Sequence, residues 1–326
     1  MTATLIPTAT EAEWLAARRQ GITASEIAVI MGLSNWSSPY KLFHQKTGAL
    51  PPDDDSDRLG LGRYLEPYIV QRFTGRHPEF CTGGTGRELF AHPRRPWQMA
   101  TPDRLLFDDE GANAGHAHFD SPRARDPISA LECKSWGTFD GWGDDGSDDI
   151  PVHIRCQALW QADVMGVGTV YVACVFLPGA QLRVYEVVAD DTCARADLKL
   201  MREEAETFLA RIDRNDEPDV DWRPATADAL KRLHPDVEDI EAIVGVRTAI
   251  SYRAACRRFK EAERRKDEMT NRVRAEMGSA HYAKTWRGDP VARRDVYDVK
   301  AHTRRASHVD KIVPVAPPKP KGEPSP

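Results

Sequence analysis

The sequence has no closely spaced pair of cysteines. Its six cysteines are scattered through 326 residues, at positions 81, 133, 156, 174, 193 and 256. A C-x-x-C pair is a common mark of a zinc site, and an iron–sulfur cluster needs clustered thiolates. The spacing therefore argues against a disulfide framework, a zinc site and an iron–sulfur cluster, and we expect free thiols.

Long apolar runs are also missing. No stretch approaches the ~18 apolar residues of a membrane helix. The segment MTATLIPTATEAEW lacks the basic and then apolar order of a secretory signal peptide. We therefore expect a soluble, cytoplasmic protein that makes no contact with a membrane.

Positive charge is not in excess, because the formal net charge is −5. This argues against a protein that coats nucleic acid nonspecifically. The signs are nevertheless segregated along the chain, with nine basic and four acidic residues between Arg253 and Arg274. Such segregation allows a DNA-binding surface on an acidic protein, although a charge-rich helix is more often only a solvated face.

The most informative segments are MATPDRLLFDD and, after a polar connection, ISALECK. Asp103 and Glu132 supply hard oxygen ligands of the kind that Mg²⁺ or Mn²⁺ prefers. Lys134 follows Glu132 by two residues, so both side chains lie on the same face of the predicted strand. Two carboxylates and an ammonium would then act together on a phosphodiester. The alternative is that these are unrelated charges at the ends of strands.

A second cluster is predicted near the N-terminus. Thr23-Ala24-Ser25-Glu26 is a capping-box pattern that opens a helix, and Arg18 precedes it. Backbone N–H groups at the helix start, the hydroxyl of Ser25 and the guanidinium of Arg18 would form an anion site. The alternative is that Thr23 and Glu26 only cap the helix and that Arg18 is solvated.

Further polar residues lie on helix faces that are otherwise apolar. Glu66 falls on the side of Ile69 and Phe73 in a predicted helix, where it either forms a buried ion pair or reaches a metal site. The following Pro67 fits a helix that starts near Glu66. In the helix VHIRCQALWQADVMG, Gln157 and Gln161 share a face, and they either contact a phosphate or a metal-bound water or lie on an ordinary polar surface.

The order of predicted helices and strands indicates an α/β (α+β) fold with a central mixed sheet flanked by helices. We expect a main domain over residues 1–215 and a proline-containing linker over residues 216–235. A charged, mostly helical region over residues 236–312 follows. Residues 313–326, VPVAPPKPKGEPSP, form a proline-rich tail typical of disorder.

Five blocks of sequence, in this order, resemble the YqaJ-like viral recombinase family, which contains lambda-type phage exonucleases of the PD-(D/E)xK nuclease superfamily. The blocks are RRQGITASEIAVIMGLSNWSSPYKLFHQKTG, GRYLEPYIVQRF, MATPDRLL, ALECKSW and IRCQALWQADVMGV. The resemblance covers about residues 10–190. It implies a PD-(D/E)xK, restriction-endonuclease-like core within residues 1–215.

The resemblance also implies roles for single residues. Asp103 and Glu132 resemble the metal carboxylates, and the carbonyl of Cys133 resembles a backbone ligand. Lys134 resembles the catalytic lysine. By the same resemblance Glu66 completes the metal site and Gln157 is the glutamine of the following helix, while Arg18, Thr23 and Ser25 lie where the family holds a DNA 5′ phosphate.

The implied activity is Mg²⁺- or Mn²⁺-dependent 5′→3′ digestion of double-stranded DNA ends, which exposes 3′ single strands. The implied partner is a single-strand annealing recombinase, and the family includes homo-oligomeric rings. A phage-encoded enzyme of this kind acts in the host bacterial cytoplasm. Two alternatives remain: a RecB-like or CRISPR-adaptation-like DNA nuclease, and a non-catalytic DNA-binding protein, against which the complete Asp, Glu and Lys set argues.

Overall fold

A five-stranded mixed sheet lies at the centre of the N-terminal part of the computed structural model, which describes residues 3–53, 56–108 and 126–296. The chain divides into two compact units, Met1–Val237 and Glu238–Pro326. The helices of the first unit are α1 (Glu11–Arg19), α2 (Ala24–Ile30), α3 (Pro39–Lys46), α4 (Asp57–Arg76), α5 (Val152–Met165), α6 (Thr192–Arg214) and α7 (Pro224–Leu233). Its strands are β1 (Thr4–Ile6), β2 (Ile22–Thr23), β3 (Phe80–Gly83), β4 (Leu89–His92), β5 (Arg95–Ala100), β6 (Arg104–Asp108), β7 (Ser129–Trp136), β8 (Thr169–Phe176) and β9 (Gln181–Val188).

The central sheet has the strand order β3-β6-β7-β8-β9. All neighbours are antiparallel except β7 and β8, which run parallel and are joined through α5. A smaller sheet has the order β1-β4-β5-β2. The expected mixed α/β class, with sheets flanked by helices, is confirmed.

The two faces of the central sheet are covered by different helices. Because side chains alternate along a strand, Ala130 belongs to the core that includes α5, whereas Leu131 packs in a separate cluster with Ile69 and Phe73 of α4. All four of these side chains are buried. Glu132 and Lys134 therefore face α5, and Cys133 faces α4.

The chain passes from the smaller sheet to the central sheet through three residues. Strand β5 ends at Ala100, and β6 begins at Arg104. Asp103, predicted to lie on a strand, is the last residue of this connection. It thus stands at the end of the central sheet rather than within it.

The helices predicted after the capping box at Thr23 and over VHIRCQALWQADVMG are present, but the helix between them in the sequence has a different start. The helix that contains Glu66 begins at Asp57, so Pro67 lies in its interior rather than near its start. Ser56 accepts a hydrogen bond from the N–H of Leu59 and caps this earlier start. The expectation that Pro67 marks the beginning of the helix is therefore corrected.

The segment predicted as a linker, residues 216–235, contains helix α7. Thr226 and Ala229 on this helix are fully buried, and Ala229 packs with Tyr40 and Leu50. The hydroxyl of Thr226 donates to Ser38 Oγ at 2.8 Å. Thr226 and Ala229 are the two buried side chains among the ten residues of this helix. Two residues are too few to produce a recognisable helical pattern of apolar positions in the sequence.

The second unit begins with an extended stretch and a long helix, α8 (Val246–Met277). A hairpin follows, formed by β10 (Tyr282–Lys284) and β11 (Pro290–Arg293), where a mostly helical region was predicted over residues 236–312. The predicted polar connection at residues 109–125 and the proline-rich tail at 313–326 lie outside the described residues. Within the described ranges, no helix combines the length and apolar character that crossing a bilayer requires.

A chain that ends at Val237 is expected to fold by itself, because the described core of the first unit is built from its own residues. A chain that ends at Asn215 lacks α7 and exposes Tyr40 and Leu50, which are 5% and 2% exposed in the structure. The loss of about 2 kcal/mol of burial should lower its melting temperature by roughly 5 °C relative to the longer chain. Circular dichroism melts of the two proteins test this, and an unfolded 1–237 chain would contradict it.

Candidate active site

The predicted acidic residues meet where strands β6 and β7 separate. The ladder between these strands ends with the pair Arg104 and Leu131. Cys133, two residues further along β7, directs its N–H to the same side as Leu131 but has no strand opposite. Asp103 Oδ2 accepts this N–H at 2.6 Å. The hydrogen bond holds the Asp103 carboxylate beside Glu132.

Glu132 is a buried carboxylate with three side-chain donors. Its side chain is 6% exposed. Oε1 accepts from Lys134 Nζ and from Gln157 Nε2, both at 2.6 Å, and Oε2 accepts from Gln161 Nε2 at 2.6 Å. Lys134 Nζ also donates to Gln157 Oε1 at 3.1 Å. These bonds compensate the cost of burying an anion and fix both Glu132 and Lys134.

The surroundings change the pKa values of Asp103 and Lys134. Burial, and then the charge of Glu132, raises the pKa of Asp103 well above its usual value, while Lys134 and the Cys133 N–H act in the opposite direction. Burial by itself would lower the pKa of Lys134, but the charges of Glu132 and Asp103 outweigh it and raise that pKa. The site thus favours positive charge next to both carboxylates.

Glu66 lies close to this pair but binds an arginine. Its Oε1 accepts from Arg104 Nη1 at 2.6 Å, and the same guanidinium nitrogen donates to the carbonyl of Asp103. Gly86, with φ +75°, closes over this contact, since a Cβ there would lie 3.2 Å from Glu66 Oε1 and 3.3 Å from Arg104 Nη1. The ion-pair alternative for Glu66 is therefore the one found in this structure.

The second predicted cluster forms at the start of α2. Arg18 Nη2 donates to Thr23 Oγ1 and to Ser25 Oγ, both at 3.3 Å, and the two hydroxyls are 3.2 Å apart. Glu26 Oε2 accepts the N–H of Thr23 at 2.8 Å, which caps the helix. The Thr23 side chain accepts the N–H of Glu26 in return, so the predicted capping box is present. The anion-site interpretation stays a prediction.

Lys46 forms an ion pair with Glu26 next to this cluster. Its Nζ lies 2.8 Å from Glu26 Oε2 and donates to the carbonyls of Arg18 and Gly21 at 2.7 and 2.6 Å. Burial lowers the pKa of Lys46, and Glu26 partly opposes this. Glu26 forms its ion pair with Lys46. Among the residues that the structure describes, no carboxylate forms an ion pair with the guanidinium of Arg18.

One buried tryptophan connects the two clusters. Trp160 Nε1 donates to the carbonyls of Ile22 and Met99, at 3.3 and 3.2 Å. Ile22 directly precedes Thr23, and Met99 lies at the end of β5, a few residues before Asp103. Trp160 lies next to Gln161 on α5, so this helix supports both clusters.

The donor set suits a hard divalent cation. Asp103 and Glu132 supply carboxylate oxygens, and the Cys133 carbonyl is a further oxygen of the same kind. Within the described ranges, no group of three His, Cys, Asp or Glu side chains forms a ready metal site. The third acidic side chain of this region, Glu66, is paired with Arg104.

The hydrogen bond of Gln161 to Glu132 and the ion pair of Arg104 with Glu66 were not predicted. Gln161 follows Gln157 by one helical turn, which is a signal that both side chains face the same strand. Arg104 directly follows Asp103 and, by strand alternation, faces α4 and Glu66. Neither residue could be paired with its partner without the register of β6 and β7.

Comparison with known proteins agrees with the blocks in the sequence. Residues 13–168 match the YqaJ-like viral recombinase domain. Uncharacterized protein YqaJ of Bacillus subtilis (strain 168) is 25% identical over 282 residues, which cover 83% of this chain and 79% of that protein. The resemblance to the YqaJ-like viral recombinase family is thereby confirmed.

Two crystal structures of the alkaline exonuclease LHK-Exo from Laribacter hongkongensis are also similar. The first is 19% identical, with a TM-score of 0.46, and the alignment covers 63% of this chain and 94% of that chain. The second, a complex with dAMP, is 18% identical with a TM-score of 0.45, and the coverage is the same.

The raised pKa of Asp103 predicts a pH-dependent stability of the metal-free protein. A carboxyl whose pKa is higher in the folded than in the unfolded state stabilises the fold at low pH, and this contribution is lost as the pH rises through the folded value. Asp103→Asn removes the repulsion with Glu132. The variant should melt at a higher temperature than the wild type at pH 8 in EDTA, and the difference should shrink towards pH 4.

Asp140→Asn is the matched control, because Asp140 is exposed. It should leave the melting temperature unchanged at both pH values. Addition of Mg²⁺ should stabilise the wild type more than Asp103→Asn. A wild type that is more stable than Asp103→Asn at pH 8 in EDTA would contradict the mutual repulsion of the two carboxylates.

Proposed function

We propose that this protein is a metal-dependent exonuclease that degrades double-stranded DNA in the 5′→3′ direction. The single observation that carries the proposal is the buried Glu132, held by Lys134 and Gln157 beside the carboxylate of Asp103. An acidic pair with a fixed ammonium is what hydrolysis of a phosphodiester requires. The match to the YqaJ-like viral recombinase domain includes all of these residues.

Asp103, Glu132 and the carbonyl of Cys133 would hold Mg²⁺ or Mn²⁺, with Glu66 as a further ligand once it leaves Arg104. The bound cation would polarise the phosphodiester and lower the pKa of a water molecule. Lys134 acts from the protein side. Its ammonium, kept protonated by Glu132 and Asp103, steadies the attacking hydroxide or the negative charge that develops on the phosphate oxygens.

The direction of digestion rests on Arg18, Thr23 and Ser25. A terminal phosphate is best held by a guanidinium, hydroxyls and the free N–H groups of a helix start. The guanidinium of Arg18 and the hydroxyls of Thr23 and Ser25 lie together at the start of α2, which supports this role. Repeated digestion then requires that each cut leaves a 5′ phosphate on the shortened strand. Water must therefore displace the 3′ oxygen, so that the P–O3′ bond breaks and the phosphate stays with the next nucleotide.

The 3′ single strand left by such an enzyme is the substrate of a single-strand annealing recombinase, which we propose as its functional partner. We further propose a homo-oligomer, by resemblance to the rings of the family, and assign residues 236–312 to an accessory role. The basic residues of α8 suit contact with DNA or with another subunit.

Substitution of a carboxylate or of the lysine in this site should strongly slow digestion but preserve DNA binding. Asp103→Asn, Glu132→Gln and Lys134→Ala should each lower the rate by about a hundredfold or more, because each removes a charge that acts on the transition state. Release of nucleotides from an end-labelled linear duplex in Mg²⁺ measures the rate. Lys199→Ala, on the exposed side of α6, is the control, and a folded Lys134→Ala protein with the wild-type rate would refute the assignment.

Arg18→Ala should reduce the preference for phosphorylated 5′ ends. A charge-assisted hydrogen bond contributes ~1.5–3 kcal/mol, so the rate on 5′-phosphorylated duplexes should fall by about tenfold to a hundredfold, with little change on 5′-hydroxyl ends. Arg19→Ala changes a neighbouring exposed arginine of α1 and should keep the wild-type ratio of the two rates. An unchanged ratio in Arg18→Ala would remove this residue from phosphate binding.

A further inference from the structure

Residues on β7 and α5 form a ladder of three side-chain contacts. Glu132, Lys134 and Trp136 alternate on one face of β7, and Gln161, Gln157 and His153 follow each other at one-turn intervals on α5. The first two contacts are Gln161 with Glu132 at 2.6 Å and Gln157 with Lys134 at 3.1 Å. In the third, the rings of His153 and Trp136 lie 6.0 Å apart with an interplanar angle of 34°. The ladder thus begins at the catalytic carboxylate and ends in aromatic rings.

Arg58 and Trp36 extend the third contact from the partly buried Trp136 towards solvent. The guanidinium of Arg58 lies 5.9 Å from the centre of the Trp136 ring and 3.8 Å from the centre of the Trp36 ring. Trp36, in the loop between α2 and α3, is 58% exposed. Trp136 is partly buried: it packs against the core, where its ring meets that of the buried Trp142. Trp36 is different, because most of its side chain lies outside the core.

The position of the surface formed by Trp36, Arg58 and Trp136 limits what it can bind. Trp136 lies two residues beyond Lys134, which is about 6–7 Å along an extended strand. Its occupant must therefore be adjacent to the phosphodiester that Lys134 acts on. Aromatic rings and guanidinium planes stack on nucleobases, and Arg58 adds a positive charge that suits a phosphate.

We propose that Trp36, Arg58 and Trp136 form a stacking surface for an unpaired base of the 5′-ending strand, next to the scissile phosphate. This inference rests on the proposed nuclease function. An unpaired nucleotide offers both faces of its base to such a surface, whereas in a duplex only the outer face of the terminal pair is uncovered. The surface holds the end of the strand after it separates from its complement, and it does so without reading the sequence.

The test measures binding rather than cleavage. Lys134→Ala protein in Mg²⁺ is titrated against a fluorescent duplex that carries a 5′-phosphorylated, two-nucleotide unpaired 5′ end. A second duplex has abasic residues at the same two positions, so that the phosphates remain and the bases are lost. Affinity should fall by about fivefold to a hundredfold on the abasic end, as expected for loss of base stacking.

Trp36→Ala, added to the Lys134→Ala background, should weaken binding of the normal end by a similar factor and abolish the difference between the two duplexes. Trp36→Phe should restore part of the difference, because a ring is retained. Trp222→Ala is the matched control: Trp222 is 88% exposed and lies near Arg223, with 5.8 Å between guanidinium and ring centre. It should behave like the parent protein.

Three results would overturn the proposal. The first is a Trp36→Ala protein that still distinguishes normal from abasic ends. The second is an equal loss of affinity for both duplexes, which would indicate contact with the backbone alone. The third is dependence on Trp36 for unpaired 3′ ends instead of 5′ ends. If the parent protein binds none of these duplexes, the proposed nuclease function fails together with this inference, whereas binding without base dependence refutes the inference alone.

Discussion

The burial of Glu132 beside Asp103 is the constraint on which the arrangement of this unit depends. A carboxylate with so little exposure needs donors, and two of its three come from one helix, as Gln157 and Gln161. Helix α5 must therefore lie directly against β7. Its far end is held by Asp163, which accepts from Arg95 at 2.8 Å and from Arg202 at 2.9 Å. These ion pairs join α5 to β5 and α6, so the donors to Glu132 cannot shift independently of the core.

The proximity of Asp103, Glu132 and Lys134 was predictable because its signal is local. Glu132 and Lys134 lie two residues apart on β7, and Asp103 directly precedes β6. The capping box at Thr23 and the position of α5 are local signals of the same kind. The five sequence blocks occur in the same order as in the YqaJ-like family, and this resemblance indicated that the separate segments belong to one site.

What the sequence could not indicate depends on contacts between distant segments. Glu66 could be assigned to an ion pair or to a metal site, and the choice required knowing that Arg104 faces α4. Helix α7 was interpreted as a linker because its few apolar residues reveal their burial only when α3 is beside them. The start of α4 was misplaced because Pro67 is tolerated inside a helix that tertiary contacts stabilise. The individual roles of the site residues stay predictions for mutagenesis.

The indole of Trp160 has a consequence for the length of the products. Its single N–H is shared between the carbonyls of Ile22 on β2 and Met99 on β5. The strand that leads to Thr23 and Ser25 and the strand that leads to Asp103 are therefore held together by one side chain. If Arg18 holds the end of a DNA strand while Lys134 acts on a bond within it, this connection sets the separation of those two points. Under the proposed function, a fixed separation would make the number of nucleotides released by each cut independent of their sequence.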